Sequence, residues 1–339
     1  MLKQCTGFWH ECAAYDEDPQ VIHMQEAICT EFRLASKWGF FNPEGTLVPE
    51  ATDRCGLNNT FMFQVPEMPC EISEVKDEGL SDFIYGGRVV LHYGHFLIES
   101  LPRLWLIART GLNGRKVLFQ SGHALSLWYN MPFVAPCMHA LGIKLSDIVQ
   151  PSSPQIVRDI LIPRPCMQQD AWVYPQVAKE LYGIVSKGII KGTEIIPNEK
   201  PVYLSKSRYK RRGTGITNEH EIEDALARLG VDILYPEELS LKDQIVLFMS
   251  RRVILGALGS AFHTAVFAQP SGRQIILAHN HSVNPNYLLF DLAGGNKPEY
   301  YYSDDIVILG QTADIGYAME CRNPQRVAEG MMSLAMENS

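Results

Sequence analysis

Two groups of residues in this chain have the types and spacing to do chemistry. The first is a run of cations, Lys206, Arg208, Lys210, Arg211 and Arg212, directly after the apolar Val202-Tyr203-Leu204. The chain carries a formal net charge of -8, so it holds no general attraction for nucleic acid or anionic lipid, and a local focus of cations points to a polyanionic ligand. Arginine suits that task because its planar fork pairs with two phosphate oxygens at once. The plainer reading is a solvated basic loop. Further on, Gly256-Ala257-Leu258-Gly259-Ser260-Ala261 joins a strand to a helix with small residues at the tip. Such a turn lets backbone N–H groups and the helix dipole approach an anion, with the Ser260 hydroxyl as a further donor, or it serves close packing alone. Glu237, after the next strand, could bind ribose hydroxyls or be a loop charge, and His263, in the first turn after the Gly loop, could face the same ligand. The second group is His95, Glu99 and Arg103, at i, i+4 and i+8 on one helical stripe. A His–Glu pair at this spacing could take a proton from a hydroxyl, one residue as the base and the other as its orienting partner. The alternative is a His in a first turn beside a Glu99–Arg103 ion pair. His279 and His281 stand at i, i+2 with no third ligand nearby in sequence, so no metal site is expected.

These residues need elements to position them. Residues 1 to about 80 mix short apolar runs with Pro, Gly, Asn and Cys and predict short strands and loops. Arg88 to His92 reads as a strand and His95 to Arg109 as a helix, its apolar face marked by Leu97, Leu101, Leu104, Trp105 and Ala108, with a kink at Pro102. Strands at 116–119, around 148–149 and at 156–162, and helices at 132–141 and 175–189, complete the first half. The stretch 191–201, polar with two prolines and a glycine, reads as a linker. The second half alternates regularly: strands at 202–204, 231–235, 253–255 and 274–277, and helices at 218–229, 240–249 and 260–268. Asn218 with Glu221 forms a capping-box pattern, Gly230 a stop, and Ser240 a cap. This order predicts a doubly wound sheet. A last helix spans 324–336. The domain expectation is an α/β domain over 1–190, a Rossmann-like domain over 191–320, and a C-terminal helical segment over 321–339. Neither G-x-G-x-x-G nor G-x-x-x-x-G-K-[ST] is present, which excludes a dinucleotide fingerprint and a P-loop.

Taken together, the motifs resemble glycosyltransferase family 61. The first-half segment H-x-L-x-E-x-L-P-R-L reads His95-Phe96-Leu97-Ile98-Glu99-Ser100-Leu101-Pro102-Arg103-Leu104. A second-half block reads Tyr203-Leu204-Ser205-Lys206, Arg211-Arg212 and Asn218-Glu219. It continues through Pro236-Glu237-Glu238-Leu239-Ser240-Leu241-Lys242-Asp243-Gln244, Gly256 to Ser260, and Thr264 to Phe267. The resemblance implies an α/β chain of two Rossmann-like domains facing across a cleft (GT-B), with metal-independent, inverting transfer from a nucleotide sugar. His95 and Glu99 would then be catalytic. Ser205, Lys206, Arg208, Arg211, Arg212, Glu237, Gly259, Ser260 and His263 would bind the donor, expected to be UDP-linked, with no other cofactor. The acceptor would be a glycan or glycolipid, as in bacterial members that build capsule or lipopolysaccharide. Three positions depart from the family's pattern: Leu258 replaces a loop His, Lys206 an Arg and Thr264 an Asn. Position 258 therefore lacks a side chain to contact phosphate. The competing readings are a transferase with another donor, such as phosphoenolpyruvate, and a non-catalytic subunit of a polysaccharide complex.

The bulk properties set the frame. The 339 residues suit two domains, and 46% hydrophobic with 20% charged residues is ordinary globular composition. Five of the eight cysteines fall in the first seventy residues, but no C-x-x-C occurs, and reduced thiols of a cytoplasmic protein are the preferred reading. No apolar run approaches the ~18–20 residues of a membrane span, and no signal peptide is read at the start. The expectation is a cytoplasmic protein that leaves room for peripheral contact with the inner membrane and for a homodimer, with no nucleic-acid partner.

Overall fold

The computed structural model describes residues 2–32, 37–55, 60–61, 64–209, 215–311 and 317–337. It is a mixed α/β structure with several sheets, and the chain divides into two compact units. One comprises Cys12–Lys191 with Leu292–Gly294; the other comprises Met1–Glu11, Gly192–Asp291 and Gly295–Ser339. Among the described residues no helix is long and apolar enough to cross a membrane.

Strand β1 (Lys3–Gln4) belongs to the second unit. The first unit is built on a sheet of β2 (Val21–Cys29), β3 (Phe40–Phe41), β4 (Lys76–Leu80), β5 (Phe83–Arg88), β6 (Lys116–Gln120), β7 (Ile148–Val149) and β8 (Gln155–Pro163). Its order is β7-β6-β5-β8-β2-β3, with β4 also on β8; β5, β6 and β7 run parallel, and β2 runs antiparallel to β8 and β3. The strand expected at 88–92 lies at 83–88 instead. Its sequence, Phe-Ile-Tyr-Gly-Gly-Arg, hides the apolar signal behind two glycines. Gly86 is there because a Cβ would stand 2.4 Å from the Phe119 ring, and Gly87 because its φ is 79°. Phe40, Phe83, Tyr85, Leu118, Val157, Ile160 and Ile162 form the core over one face.

The helix expected at 95–109 is real but not regular. It runs as an α-turn (Tyr93–His95), a π-turn (Phe96–Ser100), a 3-10 turn (Leu101–Leu104) and α1 (Trp105–Thr110). Pro102 is the cause: it has no N–H to offer, and its ring would strike the carbonyl four residues back. The Leu101 N–H therefore reaches back five residues, to Phe96 O. That leaves Leu97 O without its α-helical partner, and the buried Tyr182 hydroxyl supplies one at 2.6 Å. Tyr182 comes from α3 (Pro175–Ile189), whose end lies close to α2 (Val134–Ala140), where Gly188 leaves room for Ala140.

In the second unit, β9 (Val202–Leu204), β10 (Asp232–Leu234), β11 (Val253–Ala257), β12 (Arg273–Leu277) and β13 (Glu299–Tyr302) run parallel in the order β10-β9-β11-β12-β13, and β1 closes the edge antiparallel to β13. This is a doubly wound order, as the alternation predicts. Successive residues serve opposite faces. Tyr203, Leu255 and Ile275 meet α4 (Glu219–Arg228) and α7 (Pro324–Met336), while Val202, Leu204 and Ile254 meet α5 (Leu241–Ser250) and the 3-10 segment Ser260–Phe267. Burial on both faces explains why these strands read as unbroken apolar runs. Helix α6 (Pro285–Gly294) and the antiparallel pair β14 (Ile306–Gln311) and β15 (Tyr317–Cys321) also belong to this half of the chain.

Ser240 caps α5 as expected, accepting from the Asp243 N–H at 3.1 Å. Gly230 ends α4 with φ 87°. Asn218 does not cap α4. Its side chain accepts from the Cys321 N–H and donates to Cys321 O, both at 2.9 Å, and so ties the start of α4 to β15. A long-range partner has displaced the local one. The segment after Gly259 forms a 3-10 helix rather than an α-helix. Seven cysteines are free thiols: Cys5, Cys12, Cys29, Cys70, Cys137, Cys166 and Cys321. Burial pushes the Cys29, Cys137 and Cys166 thiols far up.

Candidate functional site

In an open α/β sheet the ligand crevice lies beyond the carboxyl ends of the strands, where the winding direction switches. In the second unit that point falls between β9 and β11, which are neighbours although β10 separates them in sequence. Ser205-Lys206 leaves one strand there and Leu258-Gly259-Ser260 leaves the other. The Lys206 ammonium donates to Leu258 O at 2.6 Å and lies over the Gly259 turn. A Cβ at Gly259 would come within 3.0 Å of Lys206 Cδ and 3.2 Å of Nζ. The glycine is thus needed for close approach, its φ of -176° being ordinary extended backbone. Burial pulls the Lys206 pKa down, partly offset by Glu219 and Glu237. An ammonium with a carbonyl partner and further protons to donate, in an environment that disfavours its charge, has the chemistry to receive an anion.

A polar network lies beneath the first turn. Ser205, fully buried, donates to Glu223 Oε1 at 2.6 Å and accepts from the Ser207 N–H at 3.0 Å. The Tyr235 hydroxyl donates to Glu223 Oε2 at 2.8 Å, and the Tyr203 hydroxyl to Glu219 Oε1 at 2.9 Å. Ser205 therefore shapes the loop, its proton already engaged. Arg208 lies 3.7 Å over the Tyr235 ring and pairs with Glu238 at 3.2 Å; its side chain is 58% exposed. Glu237 is exposed beside it. Arg211 and Arg212 lie outside the described residues.

Leu258 and Thr264, two of the departures from the family pattern, are both buried. Thr264 donates to Gln244 Oε1 at 3.3 Å, and the Gln244 amide donates to Pro236 O at 2.9 Å. That part of the motif holds the loop before α5 in place. His263 is buried too, stacked on Phe290 at 4.2 Å and in tilted contact with Tyr287 at 4.7 Å. Tyr287 in turn shares a hydrogen bond with the Gly259 backbone, and Ser260 is half-buried at the head of its 3-10 segment. Sequence reasoning missed Tyr287 as a neighbour of the turn, and weighed His279 only as half of a metal pair. His279 stands just beyond β12, where burial and then the Lys206 charge pull its pKa down to about 4.

In the first unit the π-turn sets His95 beside Glu99. His95 Nδ1 bonds Glu99 Oε1, and the two side chains are 46% and 7% exposed. The bond to Glu99 pulls the His95 pKa up, with a smaller pull from Gln169. Glu99 pairs with Arg88 Nη2 at 2.6 Å, and Arg88 Nε pairs with Asp53. No Glu99–Arg103 ion pair forms. Arg103, 4% exposed, donates instead to Glu50 O, Pro163 O and Thr52 O at 2.6, 2.8 and 3.0 Å, and stacks on Tyr85. The motif's arginine is a clamp for the surrounding loops. A half-exposed imidazole held at Nδ1 by a buried carboxylate is arranged to accept a proton at Nε2.

No curated protein matches the chain. A family model described as Glycosyltransferase 61 matches residues 93–276, more than half of the chain, running from the start of the π-turn helix to the end of β12. The chain belongs to glycosyltransferase family 61 and is a glycosyltransferase.

Proposed function

We propose that this enzyme is a GT-B transferase that moves a sugar, with inversion and without a metal, from a UDP-linked donor to a glycan or glycolipid acceptor. Capsule or lipopolysaccharide assembly in the cytoplasm, at the inner membrane surface, is the setting such an acceptor suggests. The observation that carries the reading is the meeting of Lys206 with the Gly259-Ser260 turn at the switch point of the second sheet.

Lys206, Arg208, Arg211 and Arg212 grip the diphosphate, and Gly259 and Ser260 border it. Their positive charge stabilises the leaving nucleotide, the part a metal plays in other transferases. Glu237 reaches the ribose, while Ser205 and His263 act from beneath the site. His95 is the base and Glu99 its orienting partner, because Glu99 is buried and bonded on both sides whereas the His95 ring is half-exposed. The acceptor hydroxyl gives its proton to His95 Nε2 as its oxygen bonds the anomeric carbon. The bond from that carbon to the diphosphate oxygen breaks, and the leaving group keeps the electron pair. Glu99 balances the imidazolium.

Calorimetry with UDP, GDP and CMP tests the donor site. UDP binding that Lys206→Met weakens at least about tenfold, or ~1.4 kcal/mol, is the expected result. Equal UDP affinity in wild type and variant overturns the assignment.

A further inference from the structure

The His95–Glu99 pair continues inward. Behind Glu99 stands Arg88, at the carboxyl end of β5, and behind Arg88 stands Asp53, after the turn Pro49–Ala51. The Arg88, Glu99 and Asp53 side chains are only 10%, 7% and 13% exposed. Ordered from the surface, the chain reads imidazole, carboxylate, guanidinium, carboxylate. With His95 neutral, two carboxylates face one guanidinium, and the row carries one negative charge in excess. A proton on His95 cancels it.

We infer that Arg88 and Asp53 are positioning residues for His95, holding the Glu99 side chain fixed so that Nδ1 keeps its hydrogen and Nε2 is the nitrogen left to the acceptor. The inference rests on the reading of His95 as the base. Three features support it. Arg88 uses both arms of its fork, Nε on Asp53 and Nη2 on Glu99, a geometry lysine cannot copy. The Phe32 ring lies 5.6 Å from the guanidinium and helps fix its plane. The Asp53 backbone N–H is itself anchored, donating to Gln64 Oε1 at 2.6 Å. Among the described residues, other groups also face the row: the buried Tyr85 hydroxyl bears on Arg88 and Asp53. Arg103 bears on Asp53 but is tied to three carbonyls. The His92 ring lies 5.0 Å from His95, and Gln169, beside His95, donates to Asp170 at 3.2 Å. Burial pushes the Asp53 carboxyl upward against the pull of Arg88, and Glu99 raises it further, so the row shares its charge.

The test is an NMR titration of histidine-labelled full-length protein, with His95→Asn identifying the His95 resonance, alongside pH profiles of kcat and KM. Asp53→Asn removes one negative charge without touching the imidazole. The His95 pKa then falls by about half a unit or more, and the acid limb of kcat moves down with it while KM holds. Arg88→Lys keeps the charge but not the fork; kcat falls at least about tenfold and KM holds. Should Asp53→Asn not fold, Arg88→Lys carries the same two readouts. An unmoved His95 resonance together with an unchanged kcat overturns the inference. A shifted resonance in a protein whose His95→Asn form stays fully active overturns the base assignment, and the positioning role with it, while leaving the donor site untouched.

Discussion

Replacing Tyr182 with phenylalanine removes one oxygen from the interior of the first unit. That oxygen is the donor to Leu97 O at 2.6 Å, and both residues are fully buried. The rest of the ring stays. The carbonyl is exposed to this loss because the π-turn sends the Leu101 N–H to Phe96 O instead. Leaving a buried carbonyl unpaired costs about 1–3 kcal/mol. In a unit of this size each kcal/mol lowers the melting temperature by roughly 2–4 °C, so a drop of about 4–8 °C is expected for the middle of that range. The helix has one way to recover, which is to return Leu101 N–H to Leu97 O as an ordinary α-turn. That change would rotate Glu99 relative to the segment after it by roughly one residue, or ~100°. Glu99 cannot then face both His95 and Arg88. Activity should therefore fall along with stability, with kcat affected more than KM. Differential scanning fluorimetry, urea unfolding and steady-state kinetics on the same preparation check this. A variant that melts within about 1 °C of wild type and keeps its kcat would show that the tyrosine does not hold the π-turn in place.

Gly259→Ala presses a methyl group against Lys206; nucleoside diphosphate affinity should fall about tenfold by calorimetry with little change in melting temperature. Burial pushes the Asp291 carboxyl up from 3.8 to about 8, the Tyr300 hydroxyl donating to it at 2.8 Å. The unfolded chain gives up that proton first, so the stability Asp291 contributes is complete below pH 4 and declines as pH rises to about 8. Asp291→Asn should flatten that slope in urea unfolding at pH 5 and pH 8, and an unchanged slope would count against a protonated Asp291.

The second unit was largely legible from its residues because local and global preferences agree there. Val202 to Leu204 and Val253 to Ala257 are apolar enough to be central strands, and Ser240 and Gly230 mark helix ends by their own chemistry. What escaped involves partners far away in sequence. Asn218 carries every mark of a cap yet pairs with Cys321, 103 residues on. The nine-residue β2 sits in a stretch that reads as short strands and loops, because its burial alternates only in part and its partner β8 lies more than a hundred residues later. At the candidate base, the i, i+4 spacing brought His95 and Glu99 together correctly. The same spacing suggested Arg103 as the ion partner, whereas the residue that fills that place is Arg88, from a strand whose glycines concealed it.

The earliest residues of the chain complete the last strand of the C-terminal sheet: Lys3 pairs with Tyr302 and Gln4 with Tyr301. During synthesis this edge must wait until residues 299–302 have emerged. A fragment beginning at Gly192 would present β13 with its hydrogen-bonding groups bare, ready to recruit a strand from a neighbour and aggregate. Dissecting the enzyme therefore calls for joining the opening eleven residues back to the carboxyl-terminal piece, not for a single cut between the halves.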